Sequence, residues 1–544
     1  MIKTTSVILS LVILISFTAC DKQRYDDVND FEINRLDGGT VLSRIANISR
    51  YIGNNQDIVI PPRMHGRKII GIGPFAFQHK NINSVIIPNS VTWILGEAFA
   101  DNQLTNIFIP ASVKTIGSDA FSNNKLTRVT ISDGVTTIEW GAFSNNQLTA
   151  ITIPASVTSI GGFAFGSNPL TDIFIDPDNT VYTAKNPFVL SKDEKQIIIY
   201  YGKEKNVTIP TGITSIASRA FSDNQLTSIF IPDSVTSIER SAFSNNHLTR
   251  INIPNSVTTI ERGVFNNNRL TRINIPNGVT TIKEWAFSSN NLTSVIIPDS
   301  VITIEEWAFA RNQLNRVIFG NGVETIGERA FADNHFFSVT IGSSVITIGE
   351  SAFSQNKLTS VTISDSVTTI KKYAFAENQL TSVNFGSSVT VIEQEAFAGN
   401  QLTELIIPDS VTTIWNEAFK DNLLTGITIG NGVTWIGNGA FTGNHLTELI
   451  IPDNVTFIGD RAFENNQLAS ITIPGSVTRL GMRAFYGNPL TIITIGKGVG
   501  LFNSFENNFD EFYESQSQSA GTYILDSDFL WSLEENYFYD EDVW

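Results

Sequence analysis

The sequence predicts a β-rich solenoid of about 18 coils of 22 residues, built from short strands and turn or 3₁₀ segments. The first observation behind this prediction is a Phe that follows a small residue and recurs every 22 residues. It occurs 5 times from Phe77 to Phe165 and 13 times from Phe221 to Phe485. The second observation is an apolar pattern that repeats in register with that Phe. Such a unit buries its apolar side only by stacking on its neighbours.

The segment 402–423, LTELIIPDSVTTIWNEAFKDNL, represents the repeat, and we number its positions from Leu402 as position 1. Alternating apolar residues at Leu405 and Ile407 predict a short strand, which Pro408 ends. The stretch from Trp415 to Asn422 is too short for a stable helix, so we expect a turn or a single 3₁₀ turn there. Stacking would align the Leu, Val or Ile, and Phe positions as columns inside the molecule.

An Asn stands two positions before the next Leu in 17 of the 18 coils, from Asn102 to Asn488, and Lys80 takes its place in the first coil. A buried row of amides can bond the backbone of neighbouring coils where no regular strand pairing exists. We therefore interpret this row as a structural ladder. The alternative, a row of polar ligands for a partner, has no further support in the sequence.

The pattern L-x-x-V-x-I-P-x-x-V-x-x-I-x-x-x-A-F, over about residues 57 to 496, resembles the BspA-type leucine-rich repeats of bacterial surface proteins. Residues 57–61 and 65–73, which lead to Phe77, resemble the family's first half-coil. The resemblance implies a right-handed leucine-rich-repeat solenoid. It also implies surface roles, namely adhesion to host matrix proteins, coaggregation with other bacteria and recognition by innate immune receptors.

The amino-terminal segment resembles an export signal. Lys3 precedes an apolar run from Val7 to Ile15 that is too short for a permanent membrane span. The following residues 17–20, Phe-Thr-Ala-Cys, resemble a bacterial lipobox, although Leu is usual where Phe17 stands. Cys20 is the only Cys, so we expect it to carry a lipid that anchors the protein at the bacterial cell surface, in the outer membrane. The alternative is ordinary cleavage near Ala19 that leaves a free thiol.

The pattern divides the chain into six segments. They are a signal peptide (1–19), a lipid tether and amino-terminal cap (20–56), a first repeat block (57–176), an enlarged coil with a hairpin (177–206), a second repeat block (207–496) and an acidic, aromatic carboxy-terminal cap (497–544). The enlarged coil begins near a turn cluster at Asp176 and contains a strongly β-forming run from Gln196 to Tyr201. It is either a register correction or a binding loop. The last segment has eleven acidic residues against Lys497 alone.

Composition and motifs argue against several function classes. The net charge of −17 disfavours nucleic-acid binding, which needs clustered Lys and Arg, and one Cys excludes an intramolecular disulfide or a Cys-rich zinc module. Of the five His residues, the last three share one turn position but lie four and five coils apart, so they cannot share a metal ion or form an acid–base pair. No hydrolase, zinc-protease or phosphate-loop motif occurs. We therefore predict no enzyme activity, no cofactor and no metal.

The side chains that point outward from the predicted strand are the remaining candidates for a binding surface. Position 2 is Thr in 14 of 18 coils, and position 5 mixes Thr and Asn with Phe and Ile. Position 3 drifts from basic to acidic along the chain: Arg128, Arg250, Arg272 and Arg316 come early, and Glu404 and Glu448 come late. This pattern is either a partner-binding face or ordinary solvated scatter. Trp285 and Trp307 share one turn position and either stack on a sugar or, as we favour, cover the edge.

Two functions follow from these expectations. The first is a non-enzymatic, adhesin-like surface protein that binds host matrix proteins or other bacterial surface proteins through the sheet face. The second is a structural or spacer lipoprotein without a specific ligand, whose repeats supply reach.

Overall fold

The computed structural model describes residues 25–36 and 45–534. The chain forms two compact units, Met1–Ser159 and Ile160–Trp544. In both units the coils stack as a parallel β-solenoid, with about 21 turns of about 22 residues in all. The predicted fold class is therefore confirmed. Within the described residues no helix is long and apolar enough to cross a membrane.

Each regular coil contributes two short strands, where the sequence pattern predicted one. The first lies at positions 3–6 and pairs with the same positions of the next coil, as Glu404 to Ile407 pairs with Gly426 to Ile429. The second lies at positions 12–13, where Thr413 and Ile414 pair with Trp435 and Ile436. We call these rows the first and second ladders. β-Branched Thr and Ile favour the extended backbone of the second ladder.

The first unit contains the following strands. Its first ladder consists of Asp57–Val59, Ser84–Ile86, Asn106–Ile109, Arg128–Ile131 and Ala150–Ile153. Its second ladder consists of Ile45–Tyr51, Arg67–Ile72, Trp93–Ile94, Thr115–Ile116 and Thr137–Ile138. A 3₁₀ turn, Val28–Asp30, and the strands Phe31–Arg35 and Arg63–Met64 complete its start, and Ser159–Ile160 lies at the division between the units.

In the second unit both ladders have gaps, and in the second ladder Ser237–Ile238 does not pair with Thr259–Ile260. The strands of the first ladder are Asp172–Ile175, Asn206–Thr208, Ser228–Phe230, Ser294–Ile296, Arg316–Ile318, Ser338–Thr340, Ser360–Thr362, Ser382–Asn384, Glu404–Ile407, Gly426–Ile429, Ser470–Ile473 and Ile492–Ile495. The second ladder consists of Gln196–Tyr200, Ser215–Ile216, Ser237–Ile238, Thr259–Ile260, Thr281–Ile282, Thr303–Ile304, Thr325–Ile326, Thr347–Ile348, Thr369–Ile370, Val391–Ile392, Thr413–Ile414, Trp435–Ile436, Phe457–Ile458, Arg479–Leu480 and Gly500–Leu501.

A column of stacked aromatic rings runs through the interior of each unit. Phe309 has no exposed surface, and its ring centre lies 5.3 Å from that of Phe331 with the planes 5° apart. The predicted interior position of the repeated Phe is therefore confirmed. Tyr51, Tyr200 and Phe505 extend the columns by stacking on Phe77, Phe221 and Phe485. The 22-residue period does not reveal these three residues because they are not 22 residues from their neighbours in the column.

The Asn row is a ladder of buried amides, as predicted. Asn400 accepts a hydrogen bond from the backbone N–H of Leu380 at 3.0 Å. Its amide nitrogen donates to the backbone oxygens of Phe375 at 3.0 Å and Phe397 at 3.1 Å. The same arrangement recurs coil after coil. It satisfies polar backbone groups that would otherwise be buried without a partner, because the turns between the two ladders have no strand pairing.

The turn that contains the repeated Phe is a pair of tight turns without a helix. Its residues at positions 16 and 20 adopt the left-handed backbone conformation, with φ of 58° at Glu417 and 52° at Asp421. A left-handed residue ends helical geometry, so positions 14–21 stay as turns. The side chains at positions 16 and 20 consequently point away from the core and form two rows on the turn surface.

The enlarged coil contains three antiparallel strands, Tyr182–Lys185, Phe188–Ser191 and Gln196–Tyr200. The sequence predicts a projecting hairpin in this segment. In the structure the inner two strands pack into the core, where the rings of Phe188 and Tyr200 contact Phe221. Burial of these rings holds the segment against the stack. Strand Asn206–Thr208 resumes the first ladder by pairing with Ser228–Phe230.

The described part of the carboxy-terminal segment covers the last coils with a helix and a hairpin. The helix is Phe509–Ser515, and strands Gly521–Leu525 and Trp531–Glu534 extend the first ladder in antiparallel fashion from Ile492–Ile495. Phe509, Tyr513 and Tyr523 are fully buried. The acidic and aromatic residues from 535 onward lie outside the described residues.

Candidate binding surfaces

The outward face of the first ladder, which we call the sheet face, presents positions 2, 3 and 5. In the coil of Leu402, Thr403, Glu404 and Ile406 are exposed, whereas Leu402, Leu405 and Ile407 are buried. Large apolar side chains at position 5 are strongly exposed: Ile406 is 70 % and Ile450 is 82 % exposed. Such residues gain free energy from a partner that covers them.

All six charged residues singled out at position 3 are exposed, namely Arg128, Arg250, Arg272, Arg316, Glu404 and Glu448. Strands in a ladder lie about 4.8 Å apart, so Arg250 and Arg272 are about 5 Å apart and Arg316 lies about 10 Å further along. The coils of Arg250 and Arg272 have no assigned strand at positions 3–6. Arg128 belongs to the other unit, and Glu404 and Glu448 lie further along the second unit.

The first ladder is interrupted at several places, and two of them follow the coils in which position 6 holds Phe instead of Ile. Strand Arg316–Ile318 does not pair with Ser338–Thr340, and strand Ser382–Asn384 does not pair with Glu404–Ile407. The position-6 residues are Phe319 and Phe385. Each packs edge-on against the column Phe of its own coil, with ring centres 5.6 Å apart. At both places the strand of the Phe coil is the last of its sheet, and the next strand begins a new sheet.

The first interruption forms a cleft on the sheet face. Its volume is about 520 Å³, and it is lined by Arg316, Ile318, Phe319, Thr340 and Gly342, among others. Ile318 is 41 % exposed, and Val317 is only half-buried, whereas the equivalent Val295 is buried. No backbone hydrogen bond joins residues 315–319 to 337–341 among the described coils. The cleft thus combines apolar side chains, unpaired strand edges and one Arg.

The row at position 16 also carries features that the sequence signalled only in part. Trp285 and Trp307 stack with ring centres 4.8 Å apart and planes 6° apart. The guanidinium carbon of Arg329 lies 4.8 Å from the ring centre of Trp307. Ser351 follows in the next coil and leaves a gap before Tyr373, whose hydroxyl bonds Glu395, and this bond together with burial raises the pKa of Tyr373. A missing side chain is not a recognisable motif, so the sequence alone did not reveal the gap.

Within residues 25–36 and 45–534, no group of three or more His, Cys, Asp and Glu side chains could hold a metal ion. Asp223, Asn224 and Tyr201 are among the residues that line a small cavity of about 80 Å³, and desolvation raises the pKa of the Asp223 carboxyl. That cavity is too small for a substrate of ordinary size. Cys20, the predicted lipidation site, lies outside the described residues.

The repeat sequence and the stacked coils agree with a known family. Four stretches, 70–189, 198–315, 286–403 and 391–510, match the BspA-type leucine-rich repeat region, and the last three overlap in sequence. The chain belongs to this family. The BspA-type coil therefore accounts for the Asn ladder and the Phe column in both units. No curated protein matches the sequence significantly.

Several solved structures resemble this BspA-type protein. A leucine-rich cell surface protein from Faecalibacterium prausnitzii is 28 % identical and covers 55 % of this chain and 96 % of its own, with a TM-score of 0.39. A leucine-rich repeat protein from Bacteroides ovatus is 20 % identical, and the match covers 86 % of this chain and 92 % of that protein, with a TM-score of 0.29. The pneumococcal vaccine antigen PcpA is 17 % identical, and the match covers 75 % of this chain and 92 % of that protein, with a TM-score of 0.35.

Proposed function

We propose that this protein is a non-enzymatic, adhesin-like repeat protein that binds an acidic segment of a protein partner through the sheet face of its second unit. The partner class is host matrix proteins or other bacterial surface proteins. The observation that carries the proposal is the cleft at Phe319. It places unpaired strand edges and apolar side chains next to Arg316, on the face that also carries Arg250 and Arg272.

An extended peptide suits this cleft for physical reasons. Its backbone can use the N–H and C=O groups that the interrupted ladder leaves unpaired, in the manner of strand addition. Its apolar side chains can cover Ile318 and Val317, while its carboxylates meet the Arg side chains. The three Arg residues make no salt bridge within the described ranges, so they are available to a partner.

We also propose that the protein is exported and held at the bacterial surface, in the outer membrane, by a lipid on Cys20. The support is the lipobox-like sequence before the only Cys, together with the family's surface setting. A membrane anchor and a long exposed face would present the cleft to partners outside the cell. Nucleic acid does not suit the net charge of −17.

Binding of the mature chain, residues 21–544, to an immobilised panel of matrix and bacterial surface proteins tests this function. The decisive variant replaces Arg250, Arg272 and Arg316 by Ser, which other coils carry at the same exposed position. At about 0.5 kcal/mol for each exposed charge pair, affinity should fall roughly tenfold, and its salt dependence should weaken. Ile318→Ser should also weaken binding, because it removes an apolar side chain from the wall of the cleft.

The matched control replaces Glu404 and Glu448 by Ser and should leave the affinity for the same partner unchanged. An unaltered affinity and salt slope in the triple Arg variant would refute the role of the basic strip. If no panel member binds saturably, the protein is better described as a structural or spacer lipoprotein.

A further inference from the structure

The turn surface of the second unit contains a notch whose walls are planar side chains. The floor is Ser351, which is 4 % exposed, with the small residues Ala332, Ser354 and Ala376 beside it. Arg329 stands on one side, stacked on Trp307, and Tyr373 stands on the other. The volume is about 400 Å³, within the range of about 300–1,000 Å³ that small-ligand sites occupy. We call this space the Ser351 notch.

Polar side chains from position 20 line the open edge of the notch. Arg311 pairs with Asp333 at 3.7 Å, and the exposed Gln355 and Glu377 follow in the next two coils. Arg329 forms no salt bridge within the described part of the chain. Carboxylate, amide and guanidinium groups are planar and can make paired hydrogen bonds to neighbouring hydroxyl groups. The notch therefore offers stacking surfaces and a polar rim together.

We propose that the Ser351 notch binds one sugar ring of a glycan, on a surface separate from the sheet face. Arg329 and Tyr373 belong to coils two steps apart, which corresponds to about 10 Å. Van der Waals contact takes about 3.5–4.0 Å on each side, so one sugar ring fits between the two side chains. The C–H groups of a sugar ring pack on aromatic and guanidinium planes, and its hydroxyl groups reach the rim.

Arg329 and Tyr373 close the notch along the stacking direction, so a longer glycan would continue from the bound ring over the solvent-facing rim. Trp285 and Trp307 lie in the coils behind Arg329 and support it. Their stacking thus builds one wall of the site as well as covering the edge.

A second notch in the same row provides a matched control. Gly439 occupies position 16 there, and the space of about 330 Å³ is lined by charged residues and Met482, with no aromatic ring. Its walls include the ion pairs Lys420–Glu417 and Arg461–Glu464. These charges already satisfy one another, and no ring is present for stacking, so this notch should not bind sugars.

The test fills each notch with the side chain that the same row already accepts. Trp285 and Trp307 have φ of 59° and 57°, and Ser351 and Gly439 have φ of 54° and 60°, so Trp suits all four positions. Binding of the full chain to short linear oligosaccharides, one set neutral and one set containing uronic acids, is measured by titration calorimetry. Ser351→Trp should reduce the affinity at least about tenfold, whereas Gly439→Trp should not change it.

Tyr373→Ala should also weaken glycan binding, and the triple Arg variant of the sheet face should leave it unchanged. That difference separates this proposal from the proposed protein-binding function. The proposal is overturned if no oligosaccharide binds the unmodified chain saturably, or if Ser351→Trp binds as tightly as the unmodified chain. If only oligosaccharides with uronic acids bind, the affinity comes from the contact between a carboxylate and Arg329. If both sets bind equally well, the affinity comes from stacking of the sugar ring on the planar side chains.

Independent observations concern the start of the second unit, which repeats the architecture of the first unit's amino-terminal cap. In the first unit, Phe31–Arg35 pairs antiparallel with Ile45–Tyr51, which pairs in parallel with Arg67–Ile72. In the second unit, Phe188–Ser191 pairs antiparallel with Gln196–Tyr200, which pairs in parallel with Ser215–Ile216.

The ring geometry of the two regions matches as well. Tyr51 stacks 5.4 Å from Phe77 at 22°, and Tyr200 stacks 5.2 Å from Phe221 at 23°. Each Tyr hydroxyl donates to the backbone oxygen four residues later, at 3.3 Å and 2.9 Å. Two residues after each Tyr stands a Gly, and a Cβ at either one would lie 2.5 Å from the Tyr oxygen. The agreement extends from strand pairing to single atoms.

We infer that the enlarged coil is an internal cap, and that the second repeat block holds its structure without the first. Strand Asp172–Ile175 does not pair with Asn206–Thr208, and Gln196–Tyr200 is joined only to Phe188–Ser191 and Ser215–Ile216 among the described strands. Both ladders start anew at this coil, and although both are interrupted again before Thr259–Ile260, antiparallel cap strands and a stacked Tyr accompany the new start only at this coil among the described residues of the second unit. In repeat proteins stability passes between neighbouring units, so a new start interrupts that coupling.

Hydrogen exchange of the full chain tests the internal cap. Phe99→Ala should remove protection in the first unit and leave the amides from Ser215 onward at their original rates. Tyr200→Ala should have the opposite pattern, with exchange increased around Phe221 and Phe243. Loss of protection that spreads from Phe99→Ala past Ser215 would overturn the inference.

Discussion

Removal of one amide from the Asn ladder should open the stack locally. Asn312 is 6 % exposed and accepts a hydrogen bond from the backbone N–H of Leu292 at 3.0 Å. Its amide nitrogen donates to the backbone oxygens of Phe287, Phe309 and Ala310 at 2.9, 3.1 and 3.2 Å. In Asn312→Ala all four contacts are lost in a region from which water is excluded.

The structure sets the size of this effect. Among the described residues the N–H of Leu292 has no other acceptor, so it becomes a buried unsatisfied donor, at a cost of about 1–3 kcal/mol. The carbonyl of Phe287 keeps its bond from Asn290, and that of Ala310 keeps the N–H of Ser289, so their losses are smaller. The sum is about 2–4 kcal/mol of local stability. Asn312→Asp keeps the acceptor but loses the donor, so it should also destabilise the coil.

Amide hydrogen exchange measures this loss coil by coil. Protection should fall in the coils next to Leu292 and Leu314 and stay unchanged several coils away, because coupling runs between neighbours. Asn274→Ala removes the same side chain from an exposed position and should change stability by less than about 0.5 kcal/mol. If Asn312→Ala left the exchange of Leu292 unchanged, the ladder would not be the structural element we describe.

Three further predictions concern burial, anchoring and charge. Phe309→Ala should cost about 3–5 kcal/mol locally and raise hydrogen exchange only in nearby coils. Cys20→Ser should leave the protein unlipidated and move it from the detergent phase to the soluble fraction. The pKa of Glu328 is raised above 4.5, first by desolvation and then by the negative charges of Glu306 and Glu350. The folded protein therefore binds a proton at Glu328 more readily than the unfolded chain does. Local stability should therefore rise as the pH falls through that raised pKa towards 4.5, and Glu328→Gln should abolish the rise in exchange protection.

Much of the interior could be predicted because every coil repeats the same pattern of apolar and Asn residues. The columns at Leu402, Leu405 and Phe419 and the ladder at Asn422 follow from one 22-residue pattern, and they are buried as expected. Eighteen consistent copies leave few alternative registers. The exposure of Arg250, Arg316 and the other position-3 residues follows from the same alternation. The second ladder was missed because two residues per coil are too few to show a strand pattern.

The rest depends on residues that meet only when coils stack. Tyr51, Tyr200 and Phe505 join the aromatic columns through contacts between segments whose spacing departs from 22 residues, so no period marks them. Phe319 looks like an ordinary apolar residue in the sequence, and the break beside it appears only where its strand faces the next coil.

The amino-acid sequence by itself determined the repeat, the inward and outward positions and the family, because these are properties of each coil and its periodic pattern. Tertiary structure alone decided where that regularity is broken, at the Phe319 cleft, the Ser351 notch and the internal cap. The cleft and the notch depend on how the side chains of one coil fit those of neighbouring coils, which are about 22 residues away in the chain but in van der Waals contact in the stack. The internal cap depends on which strands pair.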